Sequence, residues 1–297
     1  MIAVILNPNS GSVEEADELT KQIKEALPGV RVMVGREAGD SGRDAAQAAS
    51  QGFDVVAAGG DGTLNEVLNG MLPHADRVRL GLLPLGTGND FARVLPLQAD
   101  VKQALAILQQ GHVRKFDIVR VTAGGDIRHF INVSAGGFSG TVSEKMTTDL
   151  KAAWGPLSYV RGMIESLAEL ETYACELTID DAPPVPLNAF NLVVANAQFV
   201  ARGIPIAPSA DPSDGLLDIV AIRETSGPRL ALLAPLALTG MHLKNEDVFH
   251  RQGRKLAVRS TPPMPFNADG ELIGDTPLLF EILPGAVTMF VPAPSSE

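Results

Sequence analysis

Short apolar runs alternate with amphipathic stretches through the first third of the chain. Residues 2–6 (IAVIL), 30–34 (VRVMV), 54–58 (DVVAA) and 79–83 (RLGLL) are apolar and bounded by Gly, Pro, Asn or Asp. They read as buried strands of a parallel sheet. Helices are expected between them, from Ser12 to about Leu27, from Asp40 or Ser41 to about Ser50, over 64–68, and from Asp100 to Gln110. Ser12 with Glu15 and Thr63 with Glu66 have capping-box spacing, and Asp100 is a good N-cap. Pro28-Gly29, Asn69-Gly70 and Gly111 are the stop signals. Strand and helix in alternation at short intervals mean βαβ units and a parallel α/β sheet.

After about Val121 the rhythm changes. Residues 115–121, 128–134, 173–179, 190–195, 216–222, 255–260 and 278–283 read as strands. Few helices are expected, notably over 139–150, 157–170 and 229–242. Strand-dominated order predicts a β-sandwich or β-rich second domain, entered through the turn Ala123-Gly124-Gly125-Asp126. A cleft between two domains is the default place for a second substrate.

Composition narrows the function classes. The 297 residues fit two domains, and the net charge of −11 argues against a general nucleic-acid binder. It argues equally against holding an anionic membrane through overall charge. Arg251, Arg254, Lys255 and Arg259 form the one basic stretch, either a solvated face or a membrane-docking patch. Cys175 is the sole cysteine, which excludes an intrachain disulfide and fits a reducing cytosol. No basic region precedes the apolar N-terminus, so it reads as a strand rather than a signal peptide. The run 230–238 (LALLAPLAL) falls far short of the ~20 residues that span a bilayer. A soluble, cytoplasmic protein is expected.

The loops after the first, third and fourth strands lie at strand carboxyl ends, where open α/β sheets bind ligands. They are Asn7–Gly11, Gly59–Thr63 and Leu85–Asp90. A glycine turn opening a helix is an anion site, since unpaired N–H groups and the helix dipole face it. Asp61, a carboxylate, nevertheless sits in the middle of GGDGT. No GxxxxGK[ST], complete GxGxxG, HExxH or GxSxG occurs, and His74, His112, His129, His242 and His250 lack metal-ligand spacing.

Each acidic turn has a plain reading. An acid at a helix N-terminus stabilises by roughly 0.3–1 kcal/mol. Asp269-Gly270 signals a hairpin, and 211–215 (DPSDG) an ordinary turn. Together, four glycine-flanked acidic turns suggest a shared cation site. A carboxylate ~4 Å from one phosphate charge costs about 4 kcal/mol at an effective dielectric of 20. A divalent ion offsets that cost, and oxygen ligands favour magnesium.

The set NPNSG (7–11), GGDGTLNEVLNG (59–70), LGTGNDFAR (85–93), DPSDGLLD (211–218) and DGE (269–271) resembles the bacterial diacylglycerol kinase catalytic family, soluble lipid kinases related to the sphingosine kinases. The resemblance covers nearly the whole chain. It implies an α/β nucleotide-binding domain over 1–122, rejoined by 284–297, and a β-sandwich lipid-substrate domain over 123–283.

It also implies the site residues. ATP would lie on Asn7, Pro8, Asn9, Ser10 and Gly11, and on Gly60, Asp61, Gly62, Thr63, Leu64, Asn65 and Glu66, with Thr87 as a further contact. Glu271 matches the proton acceptor. Asp61, Asp90 and Asp117 match acidic positions that act around a catalytic magnesium through waters. Asp214, with the backbone carbonyls of Asp211 and Leu216, matches a second, structural magnesium site. Gly35 departs from the pattern, since relatives commonly place a threonine on the nucleotide there.

The implied partners are a lipid substrate and, transiently, the membrane surface that holds it. Nucleic acid is not among them, and a homodimer stays open. An NAD kinase shares the GGDG turn, but NDFAR and the late DGE favour the lipid branch. An inert nucleotide- or membrane-binding protein is disfavoured by the presence of both Asp61 and Glu271.

Overall fold

The computed structural model describes residues 1–11, 16–35, 37, 39–95, 97, 100–137 and 170–293. The chain forms two compact units, Met1–Asp117 with Pro284–Glu297, and Ile118–Leu283.

The first unit is a parallel α/β sheet. Its elements are β1 (Ile2–Leu6), α1 (Ala16–Ala26), β2 (Arg31–Val34), α2 (Asp40–Ser50), β3 (Asp54–Gly59), α3 (Asp61–Met71), β4 (Leu80–Pro84), α4 (Asp90–Val94), α5 (Val101–Gln110) and the start of β5 (Val113–Ala123). Strand order is β2-β1-β3-β4, every pair parallel. Val4, Ile5, Val55, Val56 and Ala57 are fully buried, as expected of central strands covered on both faces. Chain order reverses between β1 and β3, since β2 lies to one side of β1 and β3 to the other.

Asp100 caps α5 by accepting the Lys102 N–H at 2.8 Å, and Gly111 ends it at φ 72°. Helices α2 and α3 pack closely enough to require glycine. A Cβ on Gly70 would lie 2.1 Å from the Gly42 carbonyl oxygen.

Helix α3 corrects the capping-box reading. It opens at Asp61 from an extended Gly60, with no side-chain cap, and Thr63 lies inside the helix. The Ser12–Glu15 box, and all of the helices expected over 139–150 and 157–170 except Leu170, fall outside the described residues.

The second unit is antiparallel and sandwich-like. It holds the rest of β5, then β6 (Asp126–Phe130), β7 (Val133–Gly137), β8 (Tyr173–Ile179), β9 (Val185–Ala195), β10 (Phe199–Val200), β11 (Ile204–Pro205) and β12 (Leu217–Arg223). Helix α6 (Gly227–Leu238) follows, then β13 (Val248–Gly253), β14 (Lys255–Thr261), β15 (Pro265–Ala268), β16 (Glu271–Asp275) and β17 (Leu278–Phe290). The strand order β16-β15-β7-β9-β8-β14-β17 forms the main path, with β12 on β9 and β13 on β12.

Strand β9 is buried on both faces from Ala189 onward. Leu187, Ala189, Leu192 and Val194 face a core with Phe130, Phe266 and Phe280. Phe190, Val193 and Ala195 face a second core with Leu230 and Leu233 of α6.

Several expected boundaries move. The strand expected over 128–134 is two strands, β6 and β7, broken at Ile131 and Asn132, whose N–H groups turn to the Asp269 carboxylate. The expected hairpin at Asp269-Gly270 is present as β15–β16. β17 runs through Pro284 and Gly285 to Phe290 instead of ending near 283, and its Met289 pairs in parallel with Leu80 of β4. Helix α6 ends at Leu238, and Met241–Lys244 is a separate 3-10 turn. No described helix is long and apolar enough to cross a membrane.

Candidate active site

In the first unit, the loops after β1, β3 and β4 meet at the point where strand order reverses. That is where an open α/β sheet leaves a crevice. The Asn7 amide crosses this point, its Nδ2–H donating to Thr63 Oγ1 at 3.0 Å. The Asn7 Oδ1 accepts the Asn9 N–H at 3.0 Å, and Ser10 N–H returns to the Asn7 carbonyl at 3.2 Å. The first loop is thereby folded into an Asx turn and tied to α3.

The other contacts depend on missing side chains. A Cβ on Gly11 would stand 2.6 Å from Thr87 Oγ1, and one on Gly86 would stand 2.4 Å from the Gly60 Cα. Backbone therefore lies on backbone between the second and third loops, with Leu85 N–H donating to the Gly59 carbonyl at 2.9 Å. Asn89, at φ 50°, locks the third loop. Its Oδ1 accepts the Gly86 N–H at 3.0 Å, and its Nδ2–H donates to the Gly86 carbonyl at 2.6 Å. Sequence reasoning passed over Asn89. The available signal was an asparagine after Gly-Thr-Gly, a residue that tolerates the left-handed region.

Asp61 sits at the first helical position of α3, and its carboxylate spans to the start of α4. One oxygen accepts the Asp90 N–H and the other the Phe91 N–H, each at 3.2 Å. The acid in the glycine turn is thus partly balanced by two backbone donors. Asp90, 8 % exposed, lies beside it, with Arg93 Nε at 3.8 Å from its Oδ1. Both carboxylates border the space left by Gly88, where a Cβ would stand 3.0 Å from Asp61 Oδ2 and 3.9 Å from Asp90 Oδ2.

That lining of hard oxygens fits magnesium, which commonly takes one or two carboxylates and keeps its waters. Among the described residues, no group of three or more His, Cys, Asp or Glu is arranged to hold a metal ion. Asp117, 2 % exposed on β5, accepts the Gly285 N–H at 2.6 Å.

Within 60–66 the side chains divide. Leu64 is in the core at 1 % exposed, and its N–H is engaged by the Gly60 carbonyl. Asn65 is buried and accepts from Asn69 Nδ2 at 3.1 Å. Gly60, Asp61, Gly62 and Glu66 keep some exposure, as do Pro8 and Thr87. At Gly35, the backbone N–H donates to the Leu6 carbonyl at 2.9 Å.

Glu271 belongs to the second unit, as the first residue of β16. Its side chain is 48 % exposed, with Oε2 at 4.0 Å from Arg128 Nη1 of β6. The turn before β12 folds on its own acids. Asp211 Oδ1 accepts the Ser213 N–H at 3.0 Å, Asp214 Oδ1 accepts the Leu216 N–H at 2.9 Å, and the Asp211 carbonyl accepts the Asp214 N–H at 3.2 Å.

Residues 1–121 match the family model described as the diacylglycerol kinase catalytic domain. Residues 132–291 match the YegS C-terminal NAD kinase beta sandwich-like domain. A diacylglycerol kinase of Staphylococcus saprophyticus is 30 % identical over 301 residues, covering 97 % of this chain and 94 % of the relative. The chain belongs to the diacylglycerol kinase catalytic domain family.

A diacylglycerol kinase of Staphylococcus aureus strain RF122 is 31 % identical over 294 residues, covering 97 % of this chain and 91 % of the relative. The fold of this family member is shared with a diacylglycerol kinase crystal structure from Bacillus anthracis str. Sterne, at TM-score 0.74 and 24 % identity, covering 98 % and 96 % of the two chains. It is shared more distantly with an NAD kinase of Archaeoglobus fulgidus solved with ATP, at TM-score 0.56 and 15 % identity, covering 98 % and 93 %. Family membership makes the chain a kinase of the diacylglycerol kinase family and implies ATP as co-substrate.

Proposed function

We propose that this chain transfers the γ-phosphoryl group of ATP to the hydroxyl of a membrane lipid of the diacylglycerol class. The observation that carries this reading is the meeting of three glycine loops at one switch point, with Asn7 bonded to Thr63 and Gly60 against Gly86. Loop N–H groups and the uncapped start of α3 suit phosphate oxygens. Bound there, magnesium would neutralise phosphate charge, with Asp61 and Asp90 holding its waters.

In the reaction the lipid oxygen bonds to the γ-phosphorus, the bond from that phosphorus to the β,γ-bridging oxygen breaks, and ADP departs. Glu271 takes the hydroxyl proton. Its carboxylate is half exposed, so a substrate hydroxyl can reach it. Asp214, with the carbonyls of Asp211 and Leu216, is the proposed structural magnesium site. Its support is the geometry of an oxygen-lined turn.

Transient membrane contact is supported by α6 and the turn after it. Leu232 is 65 % and Met241 45 % exposed, on a stretch without acidic side chains from 230 to 243.

The test is incubation of the purified chain with magnesium and γ-labelled ATP and, in separate arms, vesicles containing diacylglycerol, a total lipid extract, or NAD. Label is expected in the organic phase. Label on NAD would instead favour the NAD kinase reading, and absence of labelled lipid from any total lipid extract would overturn the proposal. Glu271→Gln should lose ~10²–10⁴-fold in rate while keeping ATP binding. A parental rate in that variant would remove Glu271 as the base.

A further inference from the structure

We infer that Asp269 is a positioning residue for Glu271, a device that sets the base and its arginine neighbour from one point. The inference rests on the reading of Glu271 as the base. The Asp269 carboxylate collects three successive backbone donors. Its Oδ2 accepts the Ile131 N–H at 3.1 Å, and its Oδ1 accepts those of Asn132 at 3.2 Å and Val133 at 3.1 Å. The Asp269 N–H returns to the Val133 carbonyl at 3.0 Å. Hydrogen bonds to an ionised acceptor are about twice as strong as neutral ones, and three converging N–H groups form an anion nest.

What the nest joins gives it meaning. Ile131 and Asn132 are the break that ends β6, Val133 opens β7, and β6 carries Arg128. Asp269 and Gly270 are the turn that begins β16, and β16 opens with Glu271. The strands bearing the two members of the Arg128–Glu271 pair therefore leave from one clamp. The break is itself anchored, because Asn132, 7 % exposed, donates from Nδ2 to the Phe199 carbonyl at 3.0 Å.

Glu271 needs such help, since its own side chain is half exposed and the Arg128 guanidinium stands 4.0 Å away. The backbone at the clamp is unusual as well. Asp269 lies at φ 47° and Gly270 at φ 91°. Glycine would adopt φ 47° at less cost, so the carboxylate is the feature that the position supplies. A displacement of about 1 Å at a reacting group can cost ~10²-fold in rate. That gives the clamp a kinetic consequence beyond folding.

Asp269→Asn keeps the left-handed preference and one acceptor oxygen, but turns an amide NH₂ toward N–H donors. It should lower kcat roughly 10- to 100-fold with KM for ATP unchanged. The loss should vanish in an Asp269→Asn/Glu271→Gln double variant, which should match Glu271→Gln alone. Gly270→Ala perturbs the same turn without a clash, since nothing lies within 4 Å of its Cβ, and should lower kcat likewise. Ser134→Ala removes a 2.6 Å bond to the Asn267 carbonyl at the neighbouring β7–β15 pairing and serves as the control for stability alone. It should lower the melting temperature and leave kcat per folded molecule in place.

Full kcat in folded Asp269→Asn and Gly270→Ala, or losses that add to that of Glu271→Gln, would overturn the clamp. A parental rate in Glu271→Gln would sink the base reading instead, so the two failures are distinguishable.

Discussion

The Asp61 carboxylate accepts the Asp90 backbone N–H at 3.2 Å, joining the glycine turn after β3 to the helix after β4. Its second oxygen takes the Phe91 N–H at the same distance. Asp61 therefore has a structural task besides any metal role. Asp61→Ala removes two charge-assisted bonds at a partly exposed site and should destabilise by about 1–2 kcal/mol. Asp61→Asn keeps an acceptor oxygen and should cost less. Both should lose magnesium-dependent ATP binding, read by calorimetry beside thermal unfolding. Parental magnesium-ATP affinity in Asp61→Asn would remove the metal role while leaving the structural one.

Gly62 and Gly86 should separate stability from binding. No atom lies within 4 Å of a Cβ on Gly62, whereas one on Gly86 meets the Gly60 Cα at 2.4 Å and Asn89 Oδ1 at 2.9 Å. Gly62→Ala, within α3, should unfold no earlier than the parent, with up to ~1 kcal/mol gained from helix propensity. It should nevertheless weaken ATP binding if phosphates lie against that turn. Gly86→Ala should lose both ATP binding and about 1–3 kcal/mol of stability. Unchanged ATP affinity in Gly62→Ala would move the phosphates off the turn.

The first unit was the more legible in sequence, for a physical reason. Strands buried on both faces, such as β1 and β3, appear as unbroken apolar runs between turn residues, and each loop that follows is set by local chemistry. The start of α3 was misread because the Thr63–Glu66 spacing mimics a capping box, while a helix opened by extended Gly60 has no side-chain signal. β13 was missed because half of its sequence, VFHRQG, is polar, and among the described residues it pairs with β12 alone.

The site divided in the same way. Asp61, Asp90 and the glycine loops stand out by type and spacing. The role of Asp269 does not, because its three donors lie at 131–133 and only the fold brings them to it.

His242 gives the stability curve a sign. Burial pushes its imidazole below the usual histidine range, and its Nε2–H donates to the Ile206 carbonyl at 2.9 Å. The folded chain holds this ring neutral, while the unfolded chain protonates it at its ordinary value of 6.5. The contribution is therefore present above that value and lost as pH falls through the lower, folded pKa. Burial also pushes His129 down, so the whole curve should not flatten when one ring is replaced. His242→Gln should melt lower at about pH 8, yet lose less on acidification to about pH 5.5 than the parent. Parallel curves of melting temperature against pH would show that His242 does not couple folding to protons.

Leu232 and Met241 offer a test of the proposed contact with a lipid surface. The chain carries a net charge of −11, yet 230–243 contains no Asp, Glu, Lys or Arg. At the edges of this stretch, Arg229 pairs with Glu246 and, at 2.8 Å, with Asp247, which limits local repulsion from anionic headgroups. Full burial of a leucine side chain is worth about 1.5–3 kcal/mol, so even partial insertion of Leu232 should matter for a weak, reversible association. Leu232→Glu should reduce partitioning onto phosphatidylglycerol–phosphatidylethanolamine vesicles at least ~10-fold. As an exposed position, it should shift stability by no more than ~0.5 kcal/mol. Phosphorylation of a short-chain diacylglycerol in free solution should stay at the parental rate, because no surface need be reached. Vesicle sedimentation and thermal unfolding read the two effects separately. Unchanged partitioning in Leu232→Glu would exclude this face from the membrane contact and leave the kinase reading untouched.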